Sequence, residues 1–336
     1  MQRVIILSFL YLFISSCSKN GEYVEKYNNG NNKSISIYAD DKLVFQTKFH
    51  ENGNKMMEGN VKNGQWDGKF TEWYDNGQIR SGGIITEDKY DDLWTYFYEN
   101  GNKMAEGIFE LGMKNGLWTE WNETGQKEKE FQWVNGVSGV GKEWKYYDNG
   151  LMEWEKTYQD TTDNHYKVSW WENGNKKFEG NYINQMLNGP STFWFENGNK
   201  EQEGTYKDAK MDGQFFEWYE NGNKRLDGNY KNDKRSGLLT VWNEKGQKVT
   251  EFQFTNDVRD AGKSWEYHDT GKIRREYTFS DETENHSYIE FNDIGHRLRG
   301  IYHVKNGLVK REVELGCSSS TSKNKLLLGC HISCQL

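Results

Sequence analysis

One seven-residue pattern governs this chain. It first reads Phe49-His50-Glu51-Asn52-Gly53-Asn54-Lys55, and its eleventh and last occurrence is Phe291-Asn292-Asp293-Ile294-Gly295-His296-Arg297. Its glycines run from Gly53, Gly77, Gly101, Gly125 and Gly150 to Gly295, 24 residues apart except for two steps of 25. A fixed period of this length marks a repeat architecture. Each unit is one supersecondary element that cannot fold alone and is stabilised by its neighbours.

Alignment on the glycines exposes columns. Four residues before each one stands an aromatic, from Phe49 and Trp73 to Tyr267 and Phe291. Eight residues after come Val61, Ile85, Phe109, Trp133 and Tyr158, a column that continues to Phe279 and breaks at His303. Offsets −6 and −4 share one face of a strand, because side chains alternate with period two. The unit therefore reads as strand, Asn-Gly turn, strand. Gly reaches positive φ without steric cost and Asn tolerates it, which favours tight hairpins there. A second turn, as in Lys62-Asn63-Gly64 with Asp67-Gly68, leads on to the next hairpin. The expected fold is all-β: an elongated single-layer antiparallel sheet of about eleven stacked 24-residue hairpins, rising roughly 10 Å per repeat at the usual strand spacing.

In this register the −4 and −6 columns form the stack, and offsets −7, −5 and −3 lie opposite. The opposite face carries Phe70, Tyr74, Trp94, Tyr98, Trp171, Phe195, Phe215 and Tyr219, which are the candidate partner-binding residues. Aromatics on a partly exposed sheet anchor proteins or glycans. The plainer alternative is that hairpin twist and long Lys or Glu stems cover them.

Composition agrees with a thin sheet. Aromatics make up 15% of the chain while hydrophobic residues total only 34%, so aromatic rings must carry most of the burial. The net charge of −8 arises from well-mixed acidic and basic residues with no basic stripe, which disfavours a nucleic-acid partner.

A longer period lies above the short one. Residues 52–172 match residues 173–293 at a constant offset of 121: WNETGQKEKEFQW at 121–133 returns as WNEKGQKVTEFQF at 242–254. The array at 46–293 is thus a duplicated block. Residues 18–45 read as a polar tether and N-terminal cap, 294–315 as a C-terminal cap, and 316–336 as an unstructured tail holding Cys317, Cys330 and Cys334.

Residues 1–17 have the shape of an export signal. Arg3 precedes an apolar run from Val4 to Ile14, too short to cross a bilayer as a helix. The run ends in Ile14-Ser15-Ser16-Cys17, which resembles a bacterial lipobox. Cys17 is the expected lipidation site, and the chain is expected to be an exported lipoprotein held at a membrane of the bacterial envelope.

The columns also resemble the bacterial MORN-repeat variant, whose consensus runs Tyr-Tyr-Glu-Asn-Gly-Lys-x-x-x-Glu-Gly-x-Tyr-x-x-Gly-x-x-x-Gly-x-Trp. Its Glu-Gly step stands here at Glu58-Gly59, Glu106-Gly107, Glu179-Gly180 and Glu203-Gly204, and as Asp227-Gly228. Glu130-Phe131 and Glu251-Phe252 depart from it. The resemblance covers about residues 46–310. It implies an elongated antiparallel sheet used as a scaffold, often near membranes. It also brings the label of an antitoxin-like component, which fits an exported protein poorly. The tyrosine-aspartate repeats of polymorphic toxins share the Tyr74-Asp75 step before Gly77 but lack the regular Glu-Gly.

Sites for chemistry are scarce. GVSGVGKE at 136–143 and DVRDAGKS at 257–264 approach a phosphate-binding loop, but both align with an ordinary repeat turn and lack the strand-to-helix context. In each block the fifth unit carries an acidic loop. Asp160, Asp163 and His165 recur as Asp281, Glu284 and His286, oxygen and imidazole donors of the kind that hold calcium or a transition metal. The plainer reading is a solvated loop. No nucleophile–base set or paired-acid constellation is present, so the expectation is a non-enzymatic scaffold without cofactor, its partner a protein or a glycan. A carbohydrate-binding wall module is the competing class.

Overall fold

The computed structural model describes residues 18–280, 285–305 and 308–313. Among them every regular element is a strand. The chain divides into two units after Glu143.

The first unit is an antiparallel meander. Its strands are β1 (Gly21–Lys26), β2 (Asn32–Ala39), β3 (Lys42–Phe49), β4 (Lys55–Lys62), β5 (Gln65–Trp73), β6 (Ile79–Thr86), β7 (Lys89–Phe97), β8 (Lys103–Glu110), β9 (Met113–Trp121), β10 (Lys127–Val134) and β11 (Val137–Tyr146), within which the unit ends. Each pairs with the next. The second unit repeats the scheme from Met152–Tyr158 and His165–Trp170 to Arg297–Lys305 and Leu308–Val313. Each unit is thus a single open antiparallel layer of stacked hairpins, as expected.

Two kinds of turn alternate. At Asn52-Gly53 the Gly53 N–H donates to the His50 carbonyl (3.0 Å) and the His50 N–H to the Asn54 carbonyl (2.8 Å). Only Gly53 has positive φ (94°), and the register shifts beside it at Lys48/Phe49. This is a three-residue loop closed by a left-handed glycine and a bulge. The other turn has two central residues, both at positive φ: Asn63 and Gly64 (52° and 85°), Glu87 and Asp88 (49° and 62°), Asp208 and Ala209 (50° and 62°). That is the primed two-residue hairpin. The tightest turn therefore sits at the second turn of the unit, as at Asn63-Gly64, and not at the Asn52-Gly53 loop.

The turn types decide which columns share a face, and the expected assignment is corrected here. Offsets −4 and −6 do share a face, but it is the outer one. The buried side combines the −7 column with the +8 column: Phe70, Ile85, Trp94, Phe109 and Trp118 form one cluster in the first unit. Leu239, Phe252 and Phe254 form its counterpart in the second. The glycine of each Glu-Gly step makes room for these rings. Trp94 stands opposite Gly107 and Phe70 opposite Gly83. A Cβ on Gly107 would lie 2.3 Å from the Trp118 ring.

On the outer face the Lys–Glu pairs repeat with the period. Lys55 bonds Glu58 (2.6 Å) and lies over the Trp73 ring (5.1 Å), as Lys103 bonds Glu106 (2.7 Å) and lies over Trp121 (5.2 Å). Each ring thus gains a cation over its face while the ammonium keeps a carboxylate partner.

The array begins earlier than residue 46. Gly30 (φ 89°) donates to the Tyr27 carbonyl (3.0 Å), the same loop as at Gly53, and joins β1 to β2 within the segment read as tether and cap. The C-terminal cap segment likewise contains two strands.

Candidate interaction surface

The eight aromatic candidates fall into two structural roles. Phe70, Trp94 and Phe215 are 6%, 0% and 3% exposed, so none of them can meet a partner. Trp94 and Trp118 also donate their indole N–H groups to the carbonyls of Ile84 (2.7 Å) and Ile108 (2.8 Å), as buried indoles require.

The −3 residues tie turns together. Tyr74 donates through its hydroxyl to the Phe97 carbonyl (2.7 Å), Tyr98 to Trp121 (2.7 Å) and Tyr219 to Trp242 (2.8 Å); the Trp171 indole N–H does the same to Trp194 (3.0 Å). Phe195 occupies the same place without a polar atom and is half-buried. Asparagines reinforce the edge. Asn52 and Asn54 both donate to the Asp75 carbonyl (2.7 Å each), and Asn100 and Asn102 both reach Glu123 (3.0 and 2.7 Å). Sequence reasoning assigned these asparagines to turn geometry alone. Their constant offset from the acidic residue of the following turn was the available signal.

The acidic loop is locally satisfied. The Asp160 carboxylate accepts the Thr162 N–H (2.8 Å) and hydroxyl, and these bonds hold its carboxyl below the usual range. His165 donates its Nδ1–H to the Asp163 carbonyl (2.9 Å) and stacks on Tyr182 (5.1 Å between centroids). His286 packs against Tyr277 and Phe279. These histidines continue the aromatic column. Among the described residues no three potential ligands converge, so Asp160, Asp163 and His165 are not brought together as a metal site, while the loop of His286 lies partly outside the described residues. Asp281, Glu284, Cys17 and the tail cysteines lie outside the described residues. The two phosphate-loop look-alikes lie in the strands Val137–Tyr146 and Val258–Tyr267 and the turns before them.

The surface feature that sequence reasoning missed is a groove in the first unit, on the same side as the Trp118 column. Two contiguous hollows of about 420 and 320 Å³ share Lys114, Trp118 and Glu120. One extends to Tyr98, Phe109 and Glu128, the other to Lys129, Trp133 and Glu143. A cross-strand row, Tyr96–Ala105–Glu120–Lys129–Glu143, runs through it from β7 to β11. Lys114 spans it, 4.2 Å from the Trp118 ring, 4.8 Å from Trp133 and 3.6 Å from a Glu120 carboxylate oxygen. Burial pushes the Tyr98 hydroxyl pKa up, and the charges of Glu128, Glu123 and Glu120 add to it.

Comparison with known proteins bears on the repeats. Residues 66–81, 187–208 and 211–232 match the family described as MORN repeat variant, so these segments are similar to MORN repeats. No curated protein matches the chain in sequence. Among solved structures, similarity extends to the crystal structure of TcdB2-TccC3-TEV at 10% identity, over 88% of this chain and 19% of that chain, with a TM-score of 0.20. The Photorhabdus luminescens Tc holotoxin pore matches at 10% identity, over 84% and 19%, with a TM-score of 0.18. The chain spans about a fifth of the length of those chains.

Proposed function

We propose that this chain is a non-enzymatic repeat scaffold, anchored to a membrane of the bacterial envelope through lipid on Cys17, which offers its sheet to a protein or a surface polymer. The observation that carries the reading is the turn ladder. Side chains of one turn are spent on carbonyls of the next, as with Tyr98 on Trp121 and Asn102 on Glu123, so the polar groups of the edge hold register. Such a layer is rigid along its edge and open on its faces, which suits presentation of a binding surface.

The anchor is supported by Ile14-Ser15-Ser16-Cys17 after a short apolar run. The test is growth with an alkyne fatty acid, followed by click detection and membrane fractionation. Wild-type chain is expected to carry the label and sediment with membranes, and Cys17→Ser to lose both. A Cys17→Ser chain that keeps label and fractionation would overturn the anchor.

A further inference from the structure

The internal duplication provides a control for the groove. At an offset of 121, the row Ala105–Glu120–Lys129–Glu143 becomes Leu226–Val241–Thr250–Ser264. The pairing is conserved: Ala105 faces Glu120 and Leu226 faces Val241, Glu120 faces Lys129 and Val241 faces Thr250. In the second copy Leu226 and Val241 pack against the buried cluster of Leu239, Phe252 and Phe254. There the same place holds aliphatic side chains packed on the core. The first copy has a small residue and three charged ones instead, and a groove opens beside Trp118 and Trp133.

We propose that this groove binds an uncharged linear oligosaccharide lying across β8 to β11. Three features choose this ligand. The row alternates carboxylate, ammonium and carboxylate, so a ligand of one sign meets repulsion, while hydroxyl groups donate to Glu120 and Glu143 and accept from Lys129. Indole surface at Trp133, half-exposed in the groove wall, suits the apolar face of a sugar ring. The third is spacing. Neighbouring strands present the row at steps of about 4.8 Å, close to the advance of one pyranose ring, whereas same-face side chains of an extended peptide recur every ~6.6 Å. The combined hollow also lies in the size range of sites for small ligands, roughly 300–1,000 Å³. Lys114 serves as the movable group, its ammonium held between the two indoles and Glu120 until ring hydroxyls replace those contacts.

The inference deepens the scaffold reading by naming its polymer. The test is isothermal titration of the full chain in detergent with neutral glucose and N-acetylglucosamine oligomers of two to six rings. Oligogalacturonate and an extended peptide are titrated as contrasts. One neutral series is expected to bind, with affinity rising with ring number, and Glu120→Val with Lys129→Thr to lose at least tenfold. Those residues already occupy Val241 and Thr250 in the same fold, so the variant is expected to keep its circular dichroism and melting temperature. Binding of no neutral oligomer, tighter binding of either contrast, or unchanged affinity in the folded variant would overturn the proposal. Lipid labelling of Cys17 is independent of every one of these outcomes, so failure of the groove and failure of the anchor are distinguishable.

Discussion

Trp94 lies over Gly83 so closely that a methyl group on Gly83 would stand 2.6 Å from the indole ring and 2.7 Å from the Leu93 carbonyl oxygen. Gly83, which stands in the column that the glycine of the Glu-Gly step fills in other units, is therefore a packing residue. It removes a side chain where the next strand lays a large ring, and the ring in turn covers the backbone that glycine leaves bare. Gly83→Ala is expected to cost about 1–3 kcal/mol, as overpacking does. Gly82→Ala is the internal control, since its nearest neighbour would be 3.5 Å away. Urea unfolding of the two variants checks the contrast; equal midpoints would refute it.

The turn ladder makes a second prediction. Tyr98→Phe removes a hydroxyl that donates to the Trp121 carbonyl and nothing else in the packing. The expected loss is about 1 kcal/mol, measured by calorimetry. A stability unchanged by the substitution would show that the bond contributes nothing to register.

At the primed hairpin, Ala209 is held at φ 62°. A side chain with a Cβ is disfavoured there by roughly 1 kcal/mol. Ala209→Gly is expected to raise the unfolding midpoint slightly despite the extra freedom it gives the unfolded chain. A lowered midpoint would mean that the turn is not strained.

Alkaline stability follows from Tyr96. Its pKa is pushed up from 10.0 to about 12, first by burial and then by Tyr90 and Glu72. The folded state keeps the phenolic proton more tightly than the unfolded chain does. Stability from this residue is therefore complete below pH 10 and is lost as pH rises from 10 toward 12. The melting temperature is expected to fall across that window, and Tyr96→Phe to flatten the fall. A Tyr96→Phe profile as steep as wild type contradicts the assignment.

Much of the fold was legible in the sequence because glycine and aromatic columns recur at one spacing, and the duplication at 121 residues followed from direct comparison. The faces were harder to read. Alternation orders residues within a strand, so Thr71 and Trp73 were rightly placed together, but parity across a turn depends on the turn type. A bulged three-residue loop at Gly53 and a two-residue loop at Asn63-Gly64 carry the pattern across differently. Trp94 was consequently read as a surface residue when it is the most buried ring among the described residues of the first unit. The N-terminal hairpin escaped because Lys26 stands where later units have an aromatic, although Asn29-Gly30-Asn31 repeats the loop. The groove was invisible for a different reason. Glu120, Lys129 and Glu143 are adjacent only through strand register, and each alone looks like an ordinary surface charge.

The most direct measurement of the packing that joins repeat to repeat is a double-mutant cycle between Gly107 and Trp118. The second copy already pairs Gly228 with Leu239, where an added Cβ would meet only aliphatic atoms at 3.2 Å. Gly107→Ala is expected to lose about 2 kcal/mol with Trp118 present, and at least ~1 kcal/mol less in a Trp118→Leu background, a coupling of the size found between residues in contact. The same cost in both backgrounds would contradict the account, because the glycine would then serve the backbone and not the ring laid across it.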